Sequence, residues 1–338
     1  MNKIKVAIVD TGIDLKHDFL KNSISSGYGF VWESHKALRV EDFSDINGHG
    51  TACASIILNE CSNVEFIVVK AMNDKGRTNL CVIEEALQSL IETDASIINM
   101  SFAINKNIDS DLYDICNELV NRNKILVSSL ANDFDDSYPA CFNNVIGVRG
   151  FILESKDTIW FDRNNKIQCI ADNNPLMCCS INNTYQIRTR CNSLATAKLT
   201  GIICRLIDND ENISINNINY SSTCTMLEKY AFRNTWSKKD FETSKRYPNE
   251  KDWYFDNNHL LLRKIYDIVK DNMKIMSEEK DICNCYLLNK IGGLTCESTY
   301  EFIKYIAARL NVNINFMDIS RDDILTIGSI TKFFQKYI

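Results

Sequence analysis

Residues 4–14 read IKVAIVDTGID, and this stretch decides the fold. A nearly unbroken apolar run ends in the carboxylate of Asp10 and a Thr-Gly turn. β-branched runs without polar alternation mark strands buried on both faces, as in parallel sheets covered by helices. The segments 64–72 (VEFIVVKAM), 97–102 (IINMSF), 124–129 (KILVSS) and 145–148 (VIGV) repeat that character. Helical patterns fall between them at 50–58, 80–92 and 109–121. Strands alternating with helices predict an α/β protein, a doubly wound parallel sheet with flanking helices. Chemistry in such sheets sits at the carboxyl ends of strands, which is where Asp10 stands.

The bulk composition narrows the classes. The 338 residues leave room for two domains, and the net charge of −6 argues against a nucleic-acid partner. The charge is uneven, −7 before residue 261 and +1 from there on. No run of about 18 apolar residues occurs, so no membrane span is expected. The 14 cysteines form no CxxC pair. Cys178-Cys179 and the near pair Cys283 and Cys285 lack partners at zinc-site spacing, and no metal or cofactor is expected. A disulfide framework suits small secreted chains, and no signal segment precedes the first strand. The expectation is a reduced, cytoplasmic protein with mostly buried thiols. Glycine (12) and proline (3) are scarce, so asparagine is expected to fill turn positions.

Two further stretches join the first. His49 lies in NGHGTACAS, and Ser193 lies in CNSLATAKLTG at the start of a helical pattern. A serine hydroxyl attacks a carbonyl only with a base beside it and a carboxylate behind the base. Each motif alone is weak: Asp-Thr-Gly ends many strands, and a serine at a helix start is usually a cap. His17, His35 and His259 sit among polar residues and read as surface positions. Asp, His and Ser in that order, each on the expected element, carry the reading jointly.

With those neighbours, residues 4–207 resemble the subtilase family of serine peptidases. The resemblance implies Ser193 as nucleophile, His49 as general base and acid, and Asp10 as the residue that orients the imidazole. The stretch LANDFDDSYPACFNNVIGV matches the family's oxyanion segment and places Asn132 as an amide donor beside the Ser193 N–H. Ser101, Phe102 and Ala103 replace a Ser-Leu-Gly edge that pairs with substrate, and Leu130-Ala131 precedes the oxyanion asparagine. The methyl of Ala103 implies a shallower primary pocket and selective cleavage. Cys191-Asn192 stands where the family has Gly-Thr, and the amide of Asn192 is expected to serve in place of the threonine hydroxyl. These departures leave two readings open: a serine endopeptidase, or a non-catalytic peptide-binding scaffold. A start at the first strand, without a propeptide, suits an enzyme acting inside the cell on few substrates.

The partition expected is 1–225 for the peptidase-like domain, 226–260 for a linker or irregular cap, and 261–338 for a small all-α bundle. Residues 208–222 read as loop. Amphipathic helices are predicted over 261–276, 298–312 and 326–338. The stretch GGLTCESTYEFI from Gly292 resembles the second helix of an acyl or peptidyl carrier domain. Thr295-Cys296-Glu297 replaces Asp-Ser-Leu there, so the serine that accepts phosphopantetheine is missing. The reading is a carrier-like bundle kept for docking a biosynthetic partner. The implied substrate is a peptide or precursor peptide, with leader removal in peptide natural-product maturation as its setting.

Overall fold

The computed structural model describes residues 3–104, 110–210, 218–246, 259–273, 286–287 and 293–338. Its contacts divide the chain into two units. The first comprises residues 1–173, 179–183 and 190–245, and the second 174–178, 184–189 and 246–338.

The first unit is built on a nine-stranded sheet in the order β3-β2-β4-β1-β5-β6-β7-β9-β8. The strands are β1 (Ile4–Asp10), β2 (Ile24–Glu33), β3 (Lys36–Val40), β4 (Val64–Lys70), β5 (Ile97–Met100), β6 (Ile125–Ser129), β7 (Ile146–Phe151), β8 (Ile159–Phe161) and β9 (Cys169–Asp172). β3 and β8 run antiparallel to their neighbours at the two edges. The sheet is therefore mixed, a correction to the purely parallel expectation. The added strands have mixed composition; β2, Ile24–Glu33, carries two glycines and polar residues that hide its period.

Helices α1 (His49–Glu60), α2 (Leu80–Gln88), α3 (Ser110–Asn121), α4 (Asn192–Asn209) and α5 (Tyr220–Tyr230) cover the sheet. Ala7, Val9, Ile67, Val69, Ile98 and Leu126 pack against α2 and α3 in one apolar core. Side chains alternate along a strand, so Val6 and Ile8 face the opposite layer, where α1 and α4 pack on each other and on the sheet.

One expectation for the middle of the chain changes. α5 begins at Tyr220, inside the expected loop, and its capping box of Asn219 and Ser222 explains why an Asn-Ser-rich stretch starts a helix. Residues 211–217 of that loop lie outside the described residues. Residues 231–245 are a packed cap of the sheet edge. Trp236 and Phe241 lie against Trp160, which is fully buried, and the Arg233 guanidinium sits 4.2 Å over its ring. Arg233 also pairs with Glu154 and Asp240, both at 3.0 Å.

In the second unit, α6 (His259–Met273), α7 (Thr299–Leu310) and α8 (Ile327–Phe334) follow the amphipathic patterns. Ile265, Val269, Ile303, Ile306, Ile330 and Phe333 form its core. Four of the six non-glycine residues with positive φ among the described ones are asparagine, as the scarcity of glycine implied: Asn123, Asn182, Asn183 and Asn311. His17 is fully buried, with Nδ1 accepting from the Phe19 amide at 3.3 Å, and so is no surface residue. Its tight turn, closed by Leu20 and Lys21 amides on the His17 carbonyl, brings the ring inside. The His259 side chain lies outside the described residues.

Candidate active site

Three neighbouring parallel strands, β1, β5 and β6, end at one edge of the sheet, where Asp10, Ser101 and Leu130-Ala131-Asn132 follow them. Two helices begin there as well, α1 with His49 and α4 with Asn192-Ser193.

The base half is tightly built. His49 Nδ1 lies 2.7 Å from Asp10 Oδ1, and Asp10 is fully buried. The Thr11 amide donates to the same oxygen at 2.7 Å. Asp10 Oδ2 has no hydrogen-bond partner among the described residues. Burial of the imidazole opposes its protonation, but the Asp10 carboxylate outweighs this and raises its pKa well above 6.5. The thiol of Cys53 sits 3.9 Å from Nδ1, and burial pushes its own pKa up, so it is neutral near pH 7. Asp10, His49 and Cys53 bring their donor atoms within 4.8 Å of one another. That geometry offers three metal ligands, but the pairing of Nδ1 with Asp10 occupies two of them.

The glycines of both motifs have steric roles. Gly12 adopts φ +107°, and a Cβ on Gly50 would run into the Gly12 carbonyl oxygen. The Gly50 amide donates to Thr11 Oγ1 at 2.9 Å. The Asp-Thr-Gly turn and the start of α1 therefore approach closer than any side chain permits.

The nucleophile half is held differently. Ser193 Oγ donates to the Ser101 carbonyl at 3.0 Å, and Ser101 Oγ donates back to the Ser193 carbonyl at 3.2 Å. No hydrogen bond joins Ser193 to His49 among the described residues. The two halves thus rest on separate partners, His49 on Asp10 and Ser193 on Ser101.

Asn192 is fully engaged. Its Nδ2 donates to the carbonyls of Leu130 at 2.9 Å and Ala131 at 3.2 Å, and its Oδ1 accepts from the Gly150 amide at 2.8 Å. The expectation that this amide serves the oxyanion is corrected: it staples the segment after β6. The Asn192 backbone amide donates to Asn132 Oδ1 at 2.9 Å. Asn132 Nδ2 is left without a partner among the described residues, as is the Ser193 amide in the first turn of α4.

Three residues outside the sequence reading complete the frame. Buried Asp45 accepts the amides of Asn47, Gly48 and Thr51 and the Thr51 hydroxyl, all within 3.0 Å, and so anchors the start of α1. Thr200 donates to Asn99 at 3.0 Å, and Asn99 donates to Ser101 Oγ at 2.9 Å, a buried polar chain under the nucleophile. Asp45 carried one legible signal, a carboxylate just ahead of a helix N-terminus. Asn99 and Thr200 carried none, being single polar residues in apolar runs.

A cleft of about 1000 Å³ opens from His49 along the β5 edge. Ser101, Phe102 and Ala103 line it. Leu130 and Ala131 do not: Leu130 is buried, with its amide on the Val148 carbonyl, and the Ala131 amide donates to Ser137 Oγ. The twelve described cysteines are all free and eight are buried. Burial pushes Cys116 up to about 12, in keeping with inert core thiols.

The model of the subtilase family matches residues 1–220. An intracellular serine protease of Paenibacillus polymyxa is 26% identical over 184 residues, half of this chain and 56% of that protein. The major intracellular serine protease of Bacillus subtilis is 26% identical over 225 residues, 62% of this chain and 69% of that protein. The matched length thus spans roughly half to two thirds of those relatives. A cold-adapted subtilisin-like serine proteinase of known structure superposes with a TM-score of 0.56 at 20% identity, covering 71% of this chain and 86% of that one.

Proposed function

The chain belongs to the subtilase family, and from that premise we propose that it is a serine endopeptidase acting inside the cell. The observation that carries the reading is the His49–Asp10 pair of 2.7 Å at the end of a cleft, with the Ser193 hydroxyl beside it on Ser101. Ser193 turns about χ1 from the Ser101 carbonyl to His49 Nε2, gives up its proton and attacks the scissile carbonyl. Asn132 Nδ2 and the Ser193 amide receive the negative charge on the oxygen. His49 then protonates the leaving amine, and water hydrolyses the acyl-enzyme by the same steps in reverse.

Selective cleavage of a precursor peptide, with leader removal in natural-product maturation, is the finer part of the proposal. It is supported by the methyl of Ala103 in the cleft and by relatives that bear the name intracellular. The helical second unit is proposed to dock a biosynthetic partner. Cys296 stands half-buried ahead of α7 with its thiol pKa raised, first by burial and then by Glu297. Incubation with a pantetheinyl transferase should leave the intact mass unchanged; an added arm overturns the docking-only role.

One observation favours the scaffold reading: the Ser193 hydroxyl bonds a carbonyl rather than the imidazole. A fluorophosphonate probe decides. Labelling that disappears in Ser193→Ala supports the peptidase, and folded protein that stays unlabelled supports the scaffold.

A further inference from the structure

The two long walls of the cleft differ in chemistry. One is the edge beyond β5. The backbone groups of Phe102 and Ala103 have no partners among the described residues, whereas Ile104 is closed off by paired bonds to Tyr138 of 2.8 and 2.9 Å. An extended peptide adding to this edge gains main-chain bonds for about two residues and then leaves it. The segment N-terminal to the scissile bond is the part an acyl-enzyme retains. Ser101, bonded twice to Ser193, starts the edge at the nucleophile.

The other wall is the turn Asn73–Arg77, in which Lys75 and Arg77 line the cleft and the exposed Asp74 does not, for a net charge of one positive. No carboxylate lines the cleft among the described residues. Lys75 and Arg77 are both exposed, and neither forms an ion pair among the described residues. The turn is braced for a fixed shape. Asn73 Oδ1 accepts the amides of Lys75 and Arg77 at 3.0 Å, the Asn73 amide donates to the Arg77 carbonyl at 3.0 Å, and Gly76 takes φ +66°. Asn47 ties the turn to the start of α1, donating to the Asp74 carbonyl at 2.8 Å while its Oδ1 accepts the His49 amide at 3.2 Å. Two unpaired cations on a braced turn, in a protein of net charge −6, form a local site for anions.

We propose that Lys75 and Arg77 select substrates with a carboxylate side chain two to four residues N-terminal to the scissile bond. At a strand rise of about 3.3 Å, residues two to four positions from the bond lie some 7–13 Å along the cleft that these two side chains line. The proposal rests on the peptidase reading of the same cleft. An exposed ion pair changes affinity by roughly two- to fivefold, and two cations in a walled cleft bring the preference to about tenfold.

The test uses the full chain and a proteome-derived peptide library, with cleavage sites read by mass spectrometry. Enrichment of Asp and Glu at those three positions is expected. In synthetic peptides built on a cleaved sequence, Glu should exceed Lys in kcat/KM by about tenfold, less at high salt. Lys75→Glu with Arg77→Glu should invert the Glu-to-Lys ratio, and Arg77→Gln alone should shrink it. A ratio near one at all three positions, or one untouched by charge reversal, overturns the proposal. A second arm needs no turnover: a fluorescent acidic peptide and its lysine counterpart are titrated against Ser193→Ala. Acidic preference there with no cleavage or labelling of the wild type sinks the peptidase reading and keeps the cationic subsite. Cleavage without charge preference does the opposite.

Discussion

The two halves of the candidate site differ in how far they are assembled. The base half is complete: Asp10 is buried, His49 is bonded to it, and Asp45 anchors the helix that carries the imidazole. The nucleophile half is not joined to it by a hydrogen bond among the described residues: Ser193 rests on the Ser101 carbonyl. The polar chain Thr200–Asn99–Ser101 fixes that carbonyl's neighbourhood, so the resting hydroxyl has a good partner of its own. The pairing that costs burial of a carboxylate is prebuilt. The proposed mechanism requires the Ser193 hydroxyl to leave its present partner before it can pass a proton to His49.

Removing either half measures that difference most directly. Ser193→Ala is expected to lower kcat by on the order of 10⁶, and Asp10→Asn by on the order of 10⁴, because a carboxylate-free imidazole keeps some basicity. Steady-state kinetics on one cleaved peptide reads both. Equal losses for the two variants would break the distinction between the halves.

The next effect concerns what holds the halves together. Helices α1 and α4 carry His49 and Ser193 at their starts and cross at Gly201, where a Cβ would press on Glu60. Glu60 bonds Lys198 at 3.1 Å and Arg205 at 3.4 Å, with little of the Lys198 side chain exposed. Glu60→Ala leaves the Lys198 ammonium buried without its partner and should cost about 3–5 kcal/mol in urea unfolding. Glu60→Gln should recover part of this. Asn132→Ala comes next, with a loss of about 10²–10³ in kcat and little change in KM, as fits a donor used only when charge develops on oxygen.

How much of this the sequence disclosed follows from the range of the interactions. The strand ending at Asp10, the helix starts at His49 and Ser193, and the amphipathic helices are local patterns and read directly. The antiparallel edges β3 and β8 depend on pairing partners far along the chain. The same holds for Asn192, whose amide reads as an oxyanion donor next to Ser193 until its bonds to Leu130, Ala131 and Gly150 are seen. Trp236 and Phe241 leave linker and cap both open because their partner, Trp160, lies about eighty residues earlier. Sequence shows which groups have chemistry to offer, and long-range contacts show which of them are already spent.

The smallest expected effect is a shift in pH dependence, and it tests the base half alone. Asp10 raises the His49 pKa against the burial of the ring, so the neutral imidazole that accepts the Ser193 proton appears only above the ordinary value of 6.5. The acid limb of kcat/KM should therefore have its midpoint above 6.5, with activity rising through it. In Asp10→Asn the carboxylate is gone while burial remains, so the residual activity should show its limb displaced to lower pH. Cys53→Ala should leave the limb in place, since that thiol is uncharged near neutral pH and 3.9 Å away. Stability runs the other way. A folded pKa above the unfolded one contributes stability in full below about 6.5, and that contribution fades as pH climbs through the folded value. Wild type should thus lose a little thermal stability across the interval in which it gains activity, and Asp10→Asn should not. A limb at or below 6.5 in the wild type would mean that the 2.7 Å pair does not hold the proton on His49.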